Sequence, residues 1–174
     1  MKNFLFLCGL NGIGKTTICR NIVKCLSGSA YVDSDHCRMM NPFVLDERTI
    51  PTIAKNTSCL IDNFLDCDVI QTVVFSYGFH GRRKEIFDHI MSNLSTREAK
   101  FIPFLLKCGK EENIQRMKAD GRDAGRIERA LKISQNVYLD IEYPRIDITE
   151  LSVDEAAAII IRQAGLSEHI AGKT

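Results

Sequence analysis

The stretch Gly9-Leu10-Asn11-Gly12-Ile13-Gly14-Lys15-Thr16, with Thr17 behind it, constrains this chain more than any other. It matches the spacing G-x-x-x-x-G-K-[ST] at every fixed position, and because glycine is only about 7% of average usage a chance match is rare. Before it runs Asn3-Phe4-Leu5-Phe6-Leu7-Cys8, an apolar segment suited to a strand buried on both faces. After it Ile18, Ile22, Val23 and Leu26 recur at helical spacing until Ser27-Gly28-Ser29 ends the pattern. Strand, glycine loop and helix in that order bring main-chain N–H groups and a helix N-terminus around a concave anion site. In such a site Gly9, Asn11, Gly12, Ile13, Gly14, Lys15, Thr16 and Thr17 cradle the phosphates of a nucleotide; Lys15 reaches the β- and γ-phosphates and the Thr16 hydroxyl ligates Mg²⁺.

Strand-like and helical runs alternate from there to the end of the chain, which predicts an α/β fold: a five-stranded parallel sheet in a three-layer α/β/α arrangement. The expected strands after the first are Ala30–Val32, Val69–Phe75, Phe101–Leu106 and Arg145–Ile148, and Pro103 argues against full pairing of the fourth. Helices are expected over Thr49–Cys67, with Ile53, Thr57, Leu60, Ile61 and Phe64 inward, and over Arg82–Leu94, with Ile86, Phe87, Ile90 and Leu94 inward. Two further helices, ending near Lys118 and running from Ile127 to about Tyr138, flank a glycine-containing loop at 119–126, and Ser152-Val153-Asp154-Glu155 forms a capping box for a last helix that Gly165 closes. At 174 residues the chain is expected to be one domain, with 36–66 as a helical insertion between strands and 119–126 as a lid.

Composition narrows the partners. The chain has 23 basic and 22 acidic residues, a formal net charge of +1, so no global field recruits nucleic acid or a membrane surface and any phosphate affinity is local. Seven cysteines form no C-x-x-C pair; the odd number argues against a disulfide framework, the spacing against a zinc site, and the cysteines are expected to be small core residues of a reduced, cytoplasmic protein. No signal-peptide pattern opens the chain and no apolar run approaches the ~20 residues of a membrane span. A monomer or a homodimer is equally compatible.

Two clusters carry the remaining chemistry. Asp33-Ser34-Asp35 follows the second strand, and in open parallel sheets ligands bind beyond the carboxyl ends of strands. One carboxylate can hold Mg²⁺ and the other can accept the proton of an attacking hydroxyl, although Asp-Ser-Asp is also good turn and capping chemistry. Arg116, Arg122, Arg126 and Arg129 flank Gly121 and Gly125; Arg122 and Arg126 suit a lid that meets phosphate bidentately, and Arg129 beside Glu128 suits a solvated helix face. Arg82 and Arg83 open a helix, where a cation opposes the helix dipole unless an anion comes to meet it. No Asn/Thr-Lys-x-Asp guanine motif occurs, and the third strand ends near Ser76 where a Walker B segment would carry aspartate.

On these residues the chain resembles the P-loop kinases of small molecules and nucleotides across nearly its whole length. Asp33-Ser34-Asp35 is similar to the motif of shikimate kinases, and gluconate kinases are similar in layout; Ser76-Tyr77-Gly78 stands where shikimate kinases have three glycines. Asp35-His36-Cys37-Arg38 also resembles the Asp-x-x-Arg pattern of polynucleotide 5′-kinase and the zeta-type toxins, which implies Asp35 as base and Arg38 toward a substrate phosphate. Near-neutral charge weighs against a polynucleotide. The resulting expectation is an ATP- and Mg²⁺-dependent phosphotransferase acting on a small-molecule acceptor: Lys15, Asp35, Arg122 and Arg126 in catalysis, Asp33, Asp35, Arg38 and Arg82 toward the acceptor, Thr16 and Asp33 toward the metal. Its rival is a regulatory module that binds nucleotide without transferring phosphate.

Overall fold

The computed structural model describes residues 1–134 and 136–166. In chain order its elements are β1 (Lys2–Gly9), α1 (Lys15–Cys25), β2 (Ser29–Asp33), a short 3₁₀ turn (His36–Arg38), α2 (Ile50–Asp66), β3 (Thr72–Tyr77), α3 (Arg83–Asn93), β4 (Ala99–Lys107), α4 (Lys110–Ala119), α5 (Ala124–Ser134), β5 (Arg145–Asp147) and α6 (Val153–Gln163). The strands form one parallel sheet in the order β2-β3-β1-β4-β5, so the strand order reverses between β1 and its neighbours and leaves a crevice at their carboxyl ends.

Because side chains alternate across a strand, β1 feeds both faces. Phe4, Phe6 and Cys8 join Phe75, Tyr77 and the inner faces of α2 and α3; Leu5 and Leu7 join Val74, Phe104, Leu106 and the inner faces of α1 and α6. Each such side chain, withdrawn from water, stabilises the fold by about 1.5–3 kcal/mol. The three-layer sandwich expected from the alternation is therefore what forms. A third, smaller cluster of Met117, Ile127 and Ala130 joins α4 to α5 apart from the sheet.

Several boundaries differ from the sequence expectation, each for a local reason. β3 starts at Thr72 because Cys67–Ile70 closes a turn, with the Ile70 N–H on Cys67 O at 3.0 Å, and Val69 is 74% exposed. On α2 the inward face runs through Ile50, Ile53, Ala54, Thr57, Ser58, Ile61 and Leu65, and Leu60 lies outside it. Pro103 pairs with β1 opposite Phe6. The Leu105 N–H bonds Pro144 O, so the period of two turns the nitrogen of Pro103 to the same side, ahead of the point where β5 begins at Arg145. The missing donor is thus spent where no strand waits. Helix α5 starts three residues early because Asp123 Oδ1 accepts the Arg126 N–H at 2.8 Å, which draws Gly125 and Arg126 out of the loop and into the first helical turn. It ends at Ser134, and Tyr138 lies in the following turn. The Ser152–Glu155 capping box forms as expected. Cys8 and Cys19 are core residues, whereas Cys59 and Cys67 are exposed, a correction to the expectation for cysteines; all seven are free thiols. Among the described residues no helix is long and apolar enough to cross a membrane.

Candidate active site

The glycine loop joins β1 to α1. Gly14 caps α1 in the left-handed conformation, φ 94°, which an L side chain adopts only with strain, and no side chain caps the helix, so its first N–H groups are left for an anion. Ile13 is fully buried and anchors the loop in the core. Gly12 answers a different demand: a Cβ there would stand 2.2 Å from Met117 Cγ, so α4 rests directly on the loop. Lys15 folds back over the cradle, its Nζ donating to Gly9 O at 3.0 Å and Leu10 O at 2.7 Å. Burial lowers its pKa from 10.5 to about 8, which leaves a desolvated ammonium that an incoming phosphate would hold in its charged form.

The loop forms one wall of a cleft of about 180 Å³. Asn11, Gly12, Gly14, Lys15, Thr16 and Thr17 line it from the loop side, and Asp33, Ser34, Asp35, Ser76, Tyr77, Gly78 and Arg83 line it from β2, β3 and α3, with Asp120 and Arg122 above. Gly9 and Ile13 support the cradle from behind. Asp33 stands beside Ser76 in the sheet register, and its Oδ1 accepts the Asp35 N–H at 3.0 Å, the turn chemistry that aims the second carboxylate away from the strand. The Asp33 side chain is 14% exposed and that of Asp35 69%, so the two differ in access: Asp33 is held at the strand end and Asp35 is presented to the cleft. Arg38, nearly buried, donates through Nε to Asp35 Oδ1 at 3.1 Å and thereby stands behind the carboxylate instead of on the cleft surface.

The arginines divide. Arg82 ion-pairs with Glu47 at 2.9 Å and Glu85 at 3.0 Å and points away from the cleft. The arginine of this pair that lines the cleft is Arg83; its guanidinium makes no hydrogen bond or ion pair among the described residues, and burial, with Arg38 nearby, lowers its pKa. The signal was available, since Arg83 stands at i−3, i−4 and i−7 from Ile86, Phe87 and Ile90 and so shares their inward face. Arg122 reaches the cleft with only Asp120 near it, at 3.6 Å. Arg126 is exposed on α5 and does not line the cleft. Arg116 is fully engaged as a staple, donating to Ile13 O at 3.1 Å, Ile148 O at 2.8 Å and Thr149 O at 3.2 Å.

One neutral group completes the wall and a second lies behind it. Tyr77 is 2% exposed, its hydroxyl has no hydrogen-bond partner among the described residues, and burial pushes its pKa up to about 12, so an intact O–H is stored at the cleft. His80, behind Gly78, is held neutral, its pKa lowered to about 4 by burial and by Lys15 and Arg83. A second cavity of about 300 Å³ shares Gly12, Gly14 and Thr17 with the first and is bounded on its far side by Ile18, Leu151, Val153 and Ala156.

A doubly wound parallel sheet with a glycine-loop phosphate cradle at its switch point defines the class as a P-loop nucleotide-binding fold. The chain belongs to the AAA domain family, whose model matches residues 5–137. No curated protein matches it in sequence. Its fold is similar to that of the tunicamycin resistance protein of Deinococcus radiodurans (TM-score 0.65, 16% identity, covering 95% of this chain and 98% of that one). It is similar also to a gluconokinase from Sinorhizobium meliloti (0.60, 14%, 94% of each chain). A shikimate kinase from Acinetobacter baumannii, solved with shikimate, gives 0.61 at 19% identity over 94% of this chain and 93% of that one.

Proposed function

We propose that the protein is an ATP-dependent phosphotransferase that moves the γ-phosphoryl group to a hydroxyl of a small acceptor carrying an anionic group of its own. The observation that carries this reading is the meeting, in one small cleft, of a phosphate cradle, an accessible carboxylate and a half-buried arginine that makes no ion pair among the described residues. The flanking apolar cavity suits the nucleotide base, since a ligand crossing Gly12, Gly14 and Thr17 would have its phosphates on the loop and its base against Leu151 and Ala156.

The roles follow from position. Lys15 leaves its loop carbonyls for the phosphates. Asp35 orients the acceptor hydroxyl and takes its proton, while the Asp33 carboxylate, tied into the turn, keeps that geometry. Arg83 meets the acceptor's anion and Tyr77 offers it an O–H. Arg122, on the short loop between α4 and α5, supplies charge to the transferring group, and Arg126 reaches it only if that loop and the head of α5 close downward as a lid. The Thr16 hydroxyl and the Asp33 carboxylate are hard oxygen donors on the cleft wall; together they fit Mg²⁺, which binds through one or two such groups plus phosphates and waters, and among the described residues no group of three or more His, Cys, Asp and Glu offers an all-protein cage. The metal would neutralise charge on the phosphates.

The test is ADP release with ATP·Mg²⁺ against matched acceptor pairs that differ only in charge, such as aldonic acids with aldoses and nucleotides with nucleosides, with shikimate and a 5′-hydroxyl oligonucleotide alongside. Release that depends on an anionic small acceptor supports the reading. Release with the oligonucleotide alone would make the protein a polynucleotide 5′-kinase, and nucleotide binding without turnover across the panel would make it a regulatory module.

A further inference from the structure

We infer that Tyr138, which the phosphate-loop pattern does not include, is a positioning residue that frees Lys15 to leave the loop when nucleotide arrives; the inference rests on the phosphotransferase reading. Tyr138 lies in the turn that follows α5 and is 9% exposed. Its hydroxyl donates to Gly9 O at 2.7 Å and accepts the Phe79 N–H at 3.1 Å, while its ring stacks on Phe79 with centroids 5.7 Å apart. A phenol has one hydrogen to give, and a main-chain N–H can only donate, so the direction of both bonds is fixed. One side chain thus ties the first glycine of the phosphate loop to the loop between β3 and α3.

Gly9 O is the carbonyl that also accepts Lys15 Nζ, at 3.0 Å. Lys15 must abandon it, together with Leu10 O, to reach a phosphate. Leu10 is partly exposed, and water can replace the lysine there; Gly9 is buried, and a buried carbonyl stripped of its donor is costly. Tyr138 removes that obstacle, because its O–H stays on Gly9 O whether or not the lysine does. Burial raises the phenol pKa, which keeps the hydrogen in place. The second bond acts at the other wall: with Phe79 N–H fixed to the same oxygen, the neighbouring Gly78 and the donor loop keep a constant separation across the cleft.

The experiment is a double-mutant cycle on binding of a non-hydrolysable ATP analogue with Mg²⁺, measured by calorimetry for the wild-type chain, Tyr138→Phe, Lys15→Met and the double variant. Tyr138→Phe should weaken binding by about tenfold while Lys15 is present, the scale of one buried carbonyl left unsatisfied. In the Lys15→Met background the same change should alter binding less than about twofold, because no lysine has to be released. An equal loss in both backgrounds, or no loss in either, overturns the inference and leaves Tyr138 a packing residue. Failure of the wild-type chain to bind the analogue at all instead removes the phosphotransferase reading. Should Tyr138→Phe not fold, hydrogen exchange in the wild-type chain decides: protection of the Phe79 amide should persist or rise when the analogue binds, and faster exchange would show that the strut breaks as Lys15 departs and would overturn the inference.

Discussion

On the proposed donor side of the cleft the groups are main-chain N–H groups at the head of α1 and one lysine; on the proposed acceptor side they are the Asp35 carboxylate, the Tyr77 hydroxyl and the Arg83 guanidinium, which reach in from the turn after β2, from β3 and from α3. The proposed donor wall is set by backbone conformation, so on this reading most of its side chains could vary without altering what it binds, and it would recognise what every nucleotide has in common. The proposed acceptor wall is set by which side chains the fold turns inward, so on this reading a single substitution there would alter specificity and leave the donor untouched. Gly12, buttressed by α4, and Arg83, which makes no ion pair among the described residues, are the two extremes.

That contrast can be broken in order of expected effect. Lys15→Met should reduce turnover by about 10³-fold or more, the loss of a preorganised cation on a developing charge, whatever acceptor is used. Asp35→Asn should lower kcat by about 10²–10³-fold while the affinity for ATP analogue stays within about twofold, as expected for a proton acceptor outside the donor wall; full activity in this variant would refute its role as base. Arg83→Met should raise the acceptor KM by about 10–100-fold and leave the KM for ATP unchanged, with Arg82→Met close to wild type. Equal effects of the two arginine changes would mean that the helix start presents a diffuse field and no specific contact.

The smallest effect is a pH dependence. A phosphate on the loop requires protonated Lys15, whose pKa in the free protein is about 8. Below that value the lysine is already charged and nucleotide affinity is independent of this group; as pH rises above it, binding must take up a proton and affinity should fall toward tenfold per pH unit. Titration calorimetry between about pH 7.5 and 9.5 reads this, and Lys15→Met should flatten the profile.

The same contrast explains how much could be read from the residues alone. β1, the loop and α1 were legible almost residue by residue, because glycine positions and apolar periodicity specify backbone conformation directly. The strand at Thr72–Tyr77 starts three residues later than expected because Val69 and Ile70 are apolar yet belong to the turn that Cys67–Ile70 closes. Choosing Arg82 over Arg83 was a matter of about 100° around a helix, which only the inward register of Ile86 and Phe87 resolves. Gly125 and Arg126 read as loop because glycine suggests one, and the Asp123 cap outweighs that propensity. Tyr138 carried no local signal: its partners, Gly9 and Phe79, are 129 and 59 residues away in the chain, and only the fold brings them together.

Gly12 occupies a slot where the phosphate-binding pattern accepts any residue, yet in this chain Met117 leaves no room for one. The helix that leads to Arg122 is therefore seated, through the Met117 side chain, on the same turn that is proposed to receive the phosphates. If the Arg122 loop closes as proposed, a tilt of α4 would press on the cradle, and a phosphate settling there would push back on α4. Loop closure and phosphate affinity would then be a single mechanical variable, and Gly12→Ala, far from being a silent change at a permissive position, would strain the loop and jam the bearing.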